Sequence, residues 1–238
     1  MISVCIATYN GEKFIKEQLK SILFQIGKDD EIIVSDDHST DATWQLIESI
    51  ADQRIKLLTN ERKSGVTGNF ENALHHAMGD YIFLSDQDDV WLPNKVDVMM
   101  KWLQQYPYVV SDCYVTDTQL NIVSNTRYTR QSNITKNKYL AFLKSTPYQG
   151  SCAAFRCEVL NKALPFPKGI QSHDRWIGFV AAFYFSVGFC PESLMYYRRH
   201  SETASTATEG CSSNSLLSRI RNRLGYAKAL FDIRNRQD

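Results

Sequence analysis

Four short apolar runs, each separated from the next by a stretch of helical periodicity, constrain the fold of this chain more than any other feature. Ile2-Ser3-Val4-Cys5-Ile6, residues 31–35, residues 55–58 and Tyr81-Ile82-Phe83-Leu84 read as strands. Between them, Ile15, Leu19, Ile22 and Leu23 recur at helical spacing, as do Ala42, Leu46, Ile47 and Ile50, and then Phe70, Ala73, Leu74, Ala77 and Met78. Strands that alternate with helices run parallel, because each helix carries the chain back across one face of the sheet in a right-handed crossover. At 238 residues the chain suits one α/β domain, or two small halves sharing a core.

In such a sheet the loops that follow the strands emerge at one edge, and ligands bind there. Polar clusters occupy 7–12, 36–41, 64–69 and 85–89. Loops are polar in general, so most of this pattern is unremarkable, but the last cluster differs. Ser85-Asp86-Gln87-Asp88-Asp89-Val90-Trp91 sets three carboxylates within four residues at the end of a strand. They repel one another and are costly to bury, and a divalent cation with oxygen ligands removes that penalty. An acidic turn that caps the next helix is the competing reading.

The second half is less regular. Residues 94–106 read as a helix, 109–116 as a strand and 124–138 as a polar loop. Helix, strand and helix follow at 140–144, 151–155 and 158–164. The uncharged stretch 176–191 is broken by Gly178, Ser186 and Gly188; it suits a buried helix running into a strand better than a membrane span. No composition shift divides the halves, so one continuous sheet is expected. Residues 201–215, rich in Ser, Thr and Ala, resemble a linker. In the tail, Leu216, Leu217, Ile220, Leu224, Ala227, Leu230 and Phe231 share a helical face among six basic residues and the single acid Asp232. Such a basic amphipathic helix either packs on the domain or lies at an anionic membrane surface.

Twenty-seven basic residues against 26 acidic ones leave a net charge of +1, so no global field favours nucleic acid. The six cysteines form no C-x-x-C pair, which fits reduced thiols, and residues 1–10 show no signal-peptide pattern. A cytoplasmic protein, peripheral at the inner face of the cell membrane through its tail, is the resulting expectation.

Ala7-Thr8-Tyr9-Asn10-Gly11-Glu12, Ser35-Asp36-Asp37-His38-Ser39-Thr40-Asp41, residues 60–65 followed by Asn69, and Gly79-Asp80-Tyr81 leading to Asp86-Gln87-Asp88-Asp89-Val90-Trp91-Leu92-Pro93 resemble family 2 glycosyltransferases in order and spacing. The likeness continues through Gly150-Ser151, Pro165-Phe166-Pro167, His173-Asp174-Arg175-Trp176 and Tyr197-Arg198-Arg199-His200, covering residues 1–200. It implies an α/β GT-A fold with a mostly parallel central sheet. A Rossmann-like nucleotide-binding half over residues 1–100 would be fused to a smaller acceptor half over 101–200, followed by the linker 201–215 and the helical tail 216–238. It also implies a metal-dependent, inverting transfer of a sugar from a UDP- or dTDP-sugar to a hydroxyl of a glycan or lipid-linked acceptor. Bacterial capsule, O-antigen or exopolysaccharide synthesis is the implied setting.

Carried onto this sequence, the resemblance implies that Thr8, Tyr9, Asn10 and Glu12 line the base and ribose of the nucleotide-sugar. Asp37 would accept a hydrogen bond from the imide N3–H of uracil or thymine, a contact cytosine lacks, unless it only caps a turn. Asp86 would face the ribose or sugar, and Asp88 would ligate Mn2+ or Mg2+. Asp89 either supports the metal or caps the next helix, while Trp91 and Pro93 read as packing and helix-start residues. His200 is the second candidate metal ligand, and Arg198 and Arg199 are candidate diphosphate clamps. Asp174 is the candidate base, with helix capping as its structural alternative, and His173 either meets the acceptor or packs. Gln171 precedes Arg175-Trp176 with one residue more than the motif of processive synthases, so processive synthesis is not expected.

Two other enzyme classes fit less well. A nucleotidyltransferase needs a glycine-rich phosphate loop with a basic residue after the first strand, where residues 7–12 offer one glycine and an acid. A D-x-D phosphatase places its aspartates after that strand, which here ends in Cys5-Ile6-Ala7. An inactive scaffold that only binds nucleotide-sugars is the non-enzyme alternative; retention of Asp88, Asp174 and His200 together argues against it.

Overall fold

The computed structural model describes residues 1–127, 138–143, 147–200 and 216–234. The expected alternation is present: β1 (Ile2–Thr8), α1 (Ile15–Leu23), β2 (Glu31–Asp36), α2 (Thr43–Glu48), β3 (Ile55–Thr59), α3 (Val66–His75) and β4 (Tyr81–Asp86). All ladders among these four strands are parallel. Thr8 stands beside Asp36, Ala7 beside Asp86, and Asp36 beside Thr59, so the four strands end at one level. That register brings the loops after them to a common edge. β1 and β2 are buried along almost their whole length, as strands covered by helices on both faces must be. α1 lays Ile15, Leu19 and Ile22 on this sheet with no residual exposure, each side chain contributing about 1.5–3 kcal/mol by leaving water.

The remainder is β5 (Val90–Trp91), α4 (Lys95–Leu103), β6 (Tyr108–Thr116), β7 (Ile122–Ser124), α5 (Lys138–Leu143), β8 (Ala153–Arg156), α6 (Cys157–Ala163), α7 (His173–Tyr184), β9 (Val187–Arg198) and α8 (Leu216–Arg234). The expected single sheet is found, in the order β3-β2-β1-β4-β8-β6-β9-β5, with β7 paired to β6. Its second half is mixed. β8 runs antiparallel to both β4 and β6, whereas β6 and β9 are parallel. The strand expected at 151–155 starts at Ala153, because Gly150–Cys152 forms a 3-10 turn. The expected helix at 140–144 is α5. Most of the polar loop 124–138 and all of the linker 201–215 lie outside the described residues.

The tail requires a correction. Its helix forms, but the expected apolar stripe is split: Leu230 packs on the domain, whereas Leu224 and Phe231 do not. Tyr226, Ala229, Leu230 and Ile233 are buried, and Tyr226 meets Phe179 of α7 edge to face. Leu224 and Phe231, assigned to the same stripe as Leu230, point into solvent at 65% and 63% exposure. The side chains of Leu216, Leu217 and Ile220 lie outside the described residues. A tyrosine can bury its ring while its hydroxyl reaches a backbone acceptor, here Ser172 O at 3.4 Å. Apolar periodicity alone therefore misjudged the packed side. Among the described residues no helix is long and apolar enough to cross a membrane.

Candidate functional site

At the common strand edge lies a cavity of about 510 Å3 whose walls include Thr8, Tyr9, Asp37, Asp86, Asp88 and Asp174. Six segments contribute. β1 ends in Thr8, with Tyr9 directly after it, and Asp37 follows β2. α3 starts after Gly65, whose φ of +105° suits a residue without Cβ. Asp37 organises that start by accepting from the Gly65 N–H (2.7 Å) and from Asn60 Nδ2 (2.6 Å). Asn69 of α3 reaches Thr8 O at 3.0 Å, closing the wall between β1 and α3.

The acidic turn is electrostatically crowded. Burial, with the charges of Asp88 and Asp174, pushes the Asp86 carboxyl up to about 7. Burial next to Asp88 and Asp86 raises Asp89 well above the usual carboxylate range. Asp89 Oδ1 accepts from the Arg198 N–H (3.1 Å), while its buried Oδ2 has no hydrogen-bond partner among the described residues. Asp88 Oδ2 lies 2.7 Å from His200 Nε2. These are one hard oxygen and one imidazole nitrogen, side by side in a site with excess negative charge. The donor set fits a Mn2+ or Mg2+ ion that completes its shell with phosphate oxygens and water, since such ions are commonly held by one or two protein ligands. Among the described residues no three or more His, Cys, Asp or Glu side chains are grouped so as to hold a metal ion by themselves.

Asp174 opens α7 beside the cavity and has both features expected of it. Its Oδ1 accepts from the Arg175 N–H (2.7 Å) and from the Ser172 hydroxyl, as a carboxylate in a first helical turn does. It also borders the cavity. His173 is buried and stacked on Phe70 with ring centroids 3.9 Å apart, and burial lowers its affinity for a proton despite the neighbouring Asp174 charge. Its Nε2 has no hydrogen-bond partner among the described residues. Gly150 packs against this pair: a Cβ there would come within 3.0 Å of His173 Nε2 and 3.4 Å of Asp174 Cβ.

Several expected residues are not brought to the cavity wall. Asn10 and Glu12 face the β2–α2 loop, where Asn10 Oδ1 accepts from the Thr40 N–H and Glu12 Oε2 from the Ala42 N–H. Arg198, expected as a diphosphate clamp, is instead a buried brace. Its Nε donates to Asp88 O (2.9 Å), Nη1 to Thr118 O (2.6 Å) and Nη2 to Glu17 Oε2 (2.6 Å), over the ring of Phe14. Three of the guanidinium's five N–H donors are thus committed to holding the acidic turn, the Thr118 carbonyl and Glu17. Arg199 is exposed, and its backbone N–H bonds Thr116 O. Trp91 packs, as read, with Lys95 Nζ 4.4 Å from its ring. Lys95 itself was not singled out. It is fully buried and donates to Ser151 O (2.6 Å), and burial pulls its ammonium down to about 8.

Residues 3–164 match the family model described as Glycosyl transferase family 2. The UDP-Glc:alpha-D-GlcNAc-diphosphoundecaprenol beta-1,3-glucosyltransferase WfgD of Escherichia coli is 36% identical over 103 residues, 43% of this chain and 41% of that protein. The aligned stretch thus spans about two fifths of that curated relative. Among solved structures, S. aureus TarS 1-349 in complex with UDP-GlcNAc superposes with a TM-score of 0.72 at 19% identity, over 94% of this chain and 66% of that one. Glucosyl-3-phosphoglycerate synthase from Mycobacterium tuberculosis, in complex with Mn2+, UDP and phosphoglyceric acid, superposes at 0.58 and 19% identity, over 100% and 80%. The fold is GT-A, and the chain belongs to glycosyl transferase family 2.

Proposed function

We propose that this glycosyltransferase moves a sugar from a UDP- or dTDP-sugar to a hydroxyl of a lipid-linked glycan, in a metal-dependent reaction that inverts the anomeric carbon. The observation that carries the reading is the convergence of Asp37, the Asp86–Asp88 turn and Asp174 on one cavity. Asp37 supplies the acceptor for an imide N3–H. Thr8 and Tyr9 flank the nucleoside, and Asp86 faces the ribose or sugar. Asp88 and His200 would hold the cation, which when bound offsets the negative charge developing on the diphosphate.

The acceptor oxygen attacks C1 as the C1–O bond to the diphosphate breaks. Its proton passes to Asp174, and the nucleoside diphosphate leaves. One backside displacement inverts configuration, and the walls of the cavity supply orientation. The diphosphoundecaprenol acceptor named for the E. coli relative supports a lipid-linked acceptor here. The exposed Leu224 and Phe231 of α8, beside the exposed Arg221, Lys228 and Arg234, support peripheral contact with an anionic membrane.

Hydrolysis of UDP- and dTDP-sugars with Mn2+, measured before and after chelation, tests the reading. Asp174→Asn should lower turnover about 10²–10⁴-fold and leave donor affinity nearly intact. Turnover indifferent to chelator, or a product retaining the donor's anomeric configuration, rules the mechanism out. Full donor binding with no turnover in the unaltered protein would favour a scaffold.

A further inference from the structure

The ladder between β1 and β4 ends at the pair Ala7 and Asp86. Beyond it the two chains diverge, β1 towards the nucleoside side of the cavity and β4 into the acidic turn. The side chain of Gln87 bridges the gap. Its Oε1 accepts from the Thr8 hydroxyl (2.6 Å) and from the Tyr9 N–H (2.9 Å), and its Nε2 donates to Tyr9 O (3.1 Å). A carboxamide paired both ways with one residue's backbone adds a rung to the ladder where the main chain no longer can. Gly11 makes room for it: a Cβ there would lie 2.5 Å from Gln87 Oε1 and 2.8 Å from its Cδ.

We infer that Gln87 is a positioning residue that holds the nucleoside wall, Thr8 and Tyr9, at a fixed separation from the metal-binding turn of Asp86 and Asp88. This rests on the nucleotide-sugar reading above. Base and diphosphate are joined covalently in such a donor, so the two subsites act together only when their spacing matches the ligand. The amide is specific for the task. Glutamate would set a carboxylate oxygen against Tyr9 O, asparagine is one methylene short, and leucine keeps bulk but neither hydrogen-bonding function. Gln87 touches backbone and the Thr8 hydroxyl rather than reacting atoms, so its effect is a coupling between two binding events.

Calorimetric titration of uridine, thymidine, UDP and dTDP, each with and without Mn2+, reads that coupling directly. In the unaltered protein Mn2+ should tighten the matching nucleoside diphosphate. Gln87→Leu should reduce this tightening by about tenfold while leaving affinity for the bare nucleoside within about threefold. Gly11→Ala, which displaces the same amide from the other chain, should reproduce the loss without altering residue 87. Retained nucleoside binding shows that each variant is folded. Undiminished Mn2+ tightening in both variants overturns the inference, and so does loss of nucleoside binding in both, which would make Gln87 a general structural support. An unaltered protein that binds neither diphosphate with Mn2+ overturns the nucleotide reading itself.

Discussion

At the scale of single residues, chemistry that needs charge was legible and chemistry that needs fit was not. The acidic turn announced itself because three carboxylates in four residues have few structural reasons to coexist. Gln87, Gly11 and Gly150 carry no such signal, since an amide or an absent side chain takes its meaning from what packs against it. Arg198 misled for the opposite reason: a charged residue in a motif suggests a ligand, yet its partner Glu17 lies 181 positions away. Gly150 yields a test of how tightly the candidate base is held. In Gly150→Ala the new methyl would press on His173 Nε2 and Asp174 Cβ. Because small misplacements of a reacting group are costly, turnover should fall about tenfold or more, with donor affinity nearly unchanged. Equal turnover in steady-state assays would show that α7 can yield without moving the carboxylate.

At the scale of elements, the parallel half was readable because helix-covered strands are continuous apolar runs of fixed length. The mixed half was less so. β5 has only two residues, and β9 carries Pro191 and Glu192 within it, so neither shows a clean period. At the opposite edge from the cavity, Glu31 ties several elements together. Its carboxylate accepts from the Ser3 hydroxyl (2.5 Å), Lys56 Nζ (2.6 Å) and the Met78 N–H (2.8 Å). Burial alone would raise its pKa, but the Lys56, Ser3 and Met78 donors outweigh burial and hold it below 4.5. A carboxyl depressed on folding adds stability that is full above its unfolded pKa and fades as pH falls through the folded value. Glu31→Gln should therefore cost about 1.5–3 kcal/mol at pH 7. The gap to the unaltered protein should narrow in urea titrations as pH falls through and below the ordinary glutamate range, and a gap independent of pH would contradict this.

At the scale of the whole molecule, α8 belongs to the domain through Tyr226, Ala229, Leu230 and Ile233, and Asn222 pairs its amide with that of Gln171 next to the start of α7. Among the described side chains of α8, the large apolar ones left exposed are Leu224 and Phe231, and the proposed membrane contact rests on them. Replacing both with glutamate should abolish flotation with anionic liposomes, to which each flanking cation adds about 1 kcal/mol, without altering thermal stability. Flotation equal to that of the unaltered protein would exclude this face.

Arg198 also bears on how the molecule comes into being. A chain made from its N-terminus completes β1 to β4 before β9 exists, and domains begin to fold as they emerge. Yet Asp88 and Asp89 receive the Arg198 brace and the His200 imidazole only from residues 198–200. The acidic turn is thus emplaced early and equipped late. A nascent chain would display Thr8 and Tyr9 long before Arg198 and His200 reach the acidic turn, so on the proposed metal-dependent reading turnover waits until the chain has been made through residue 200.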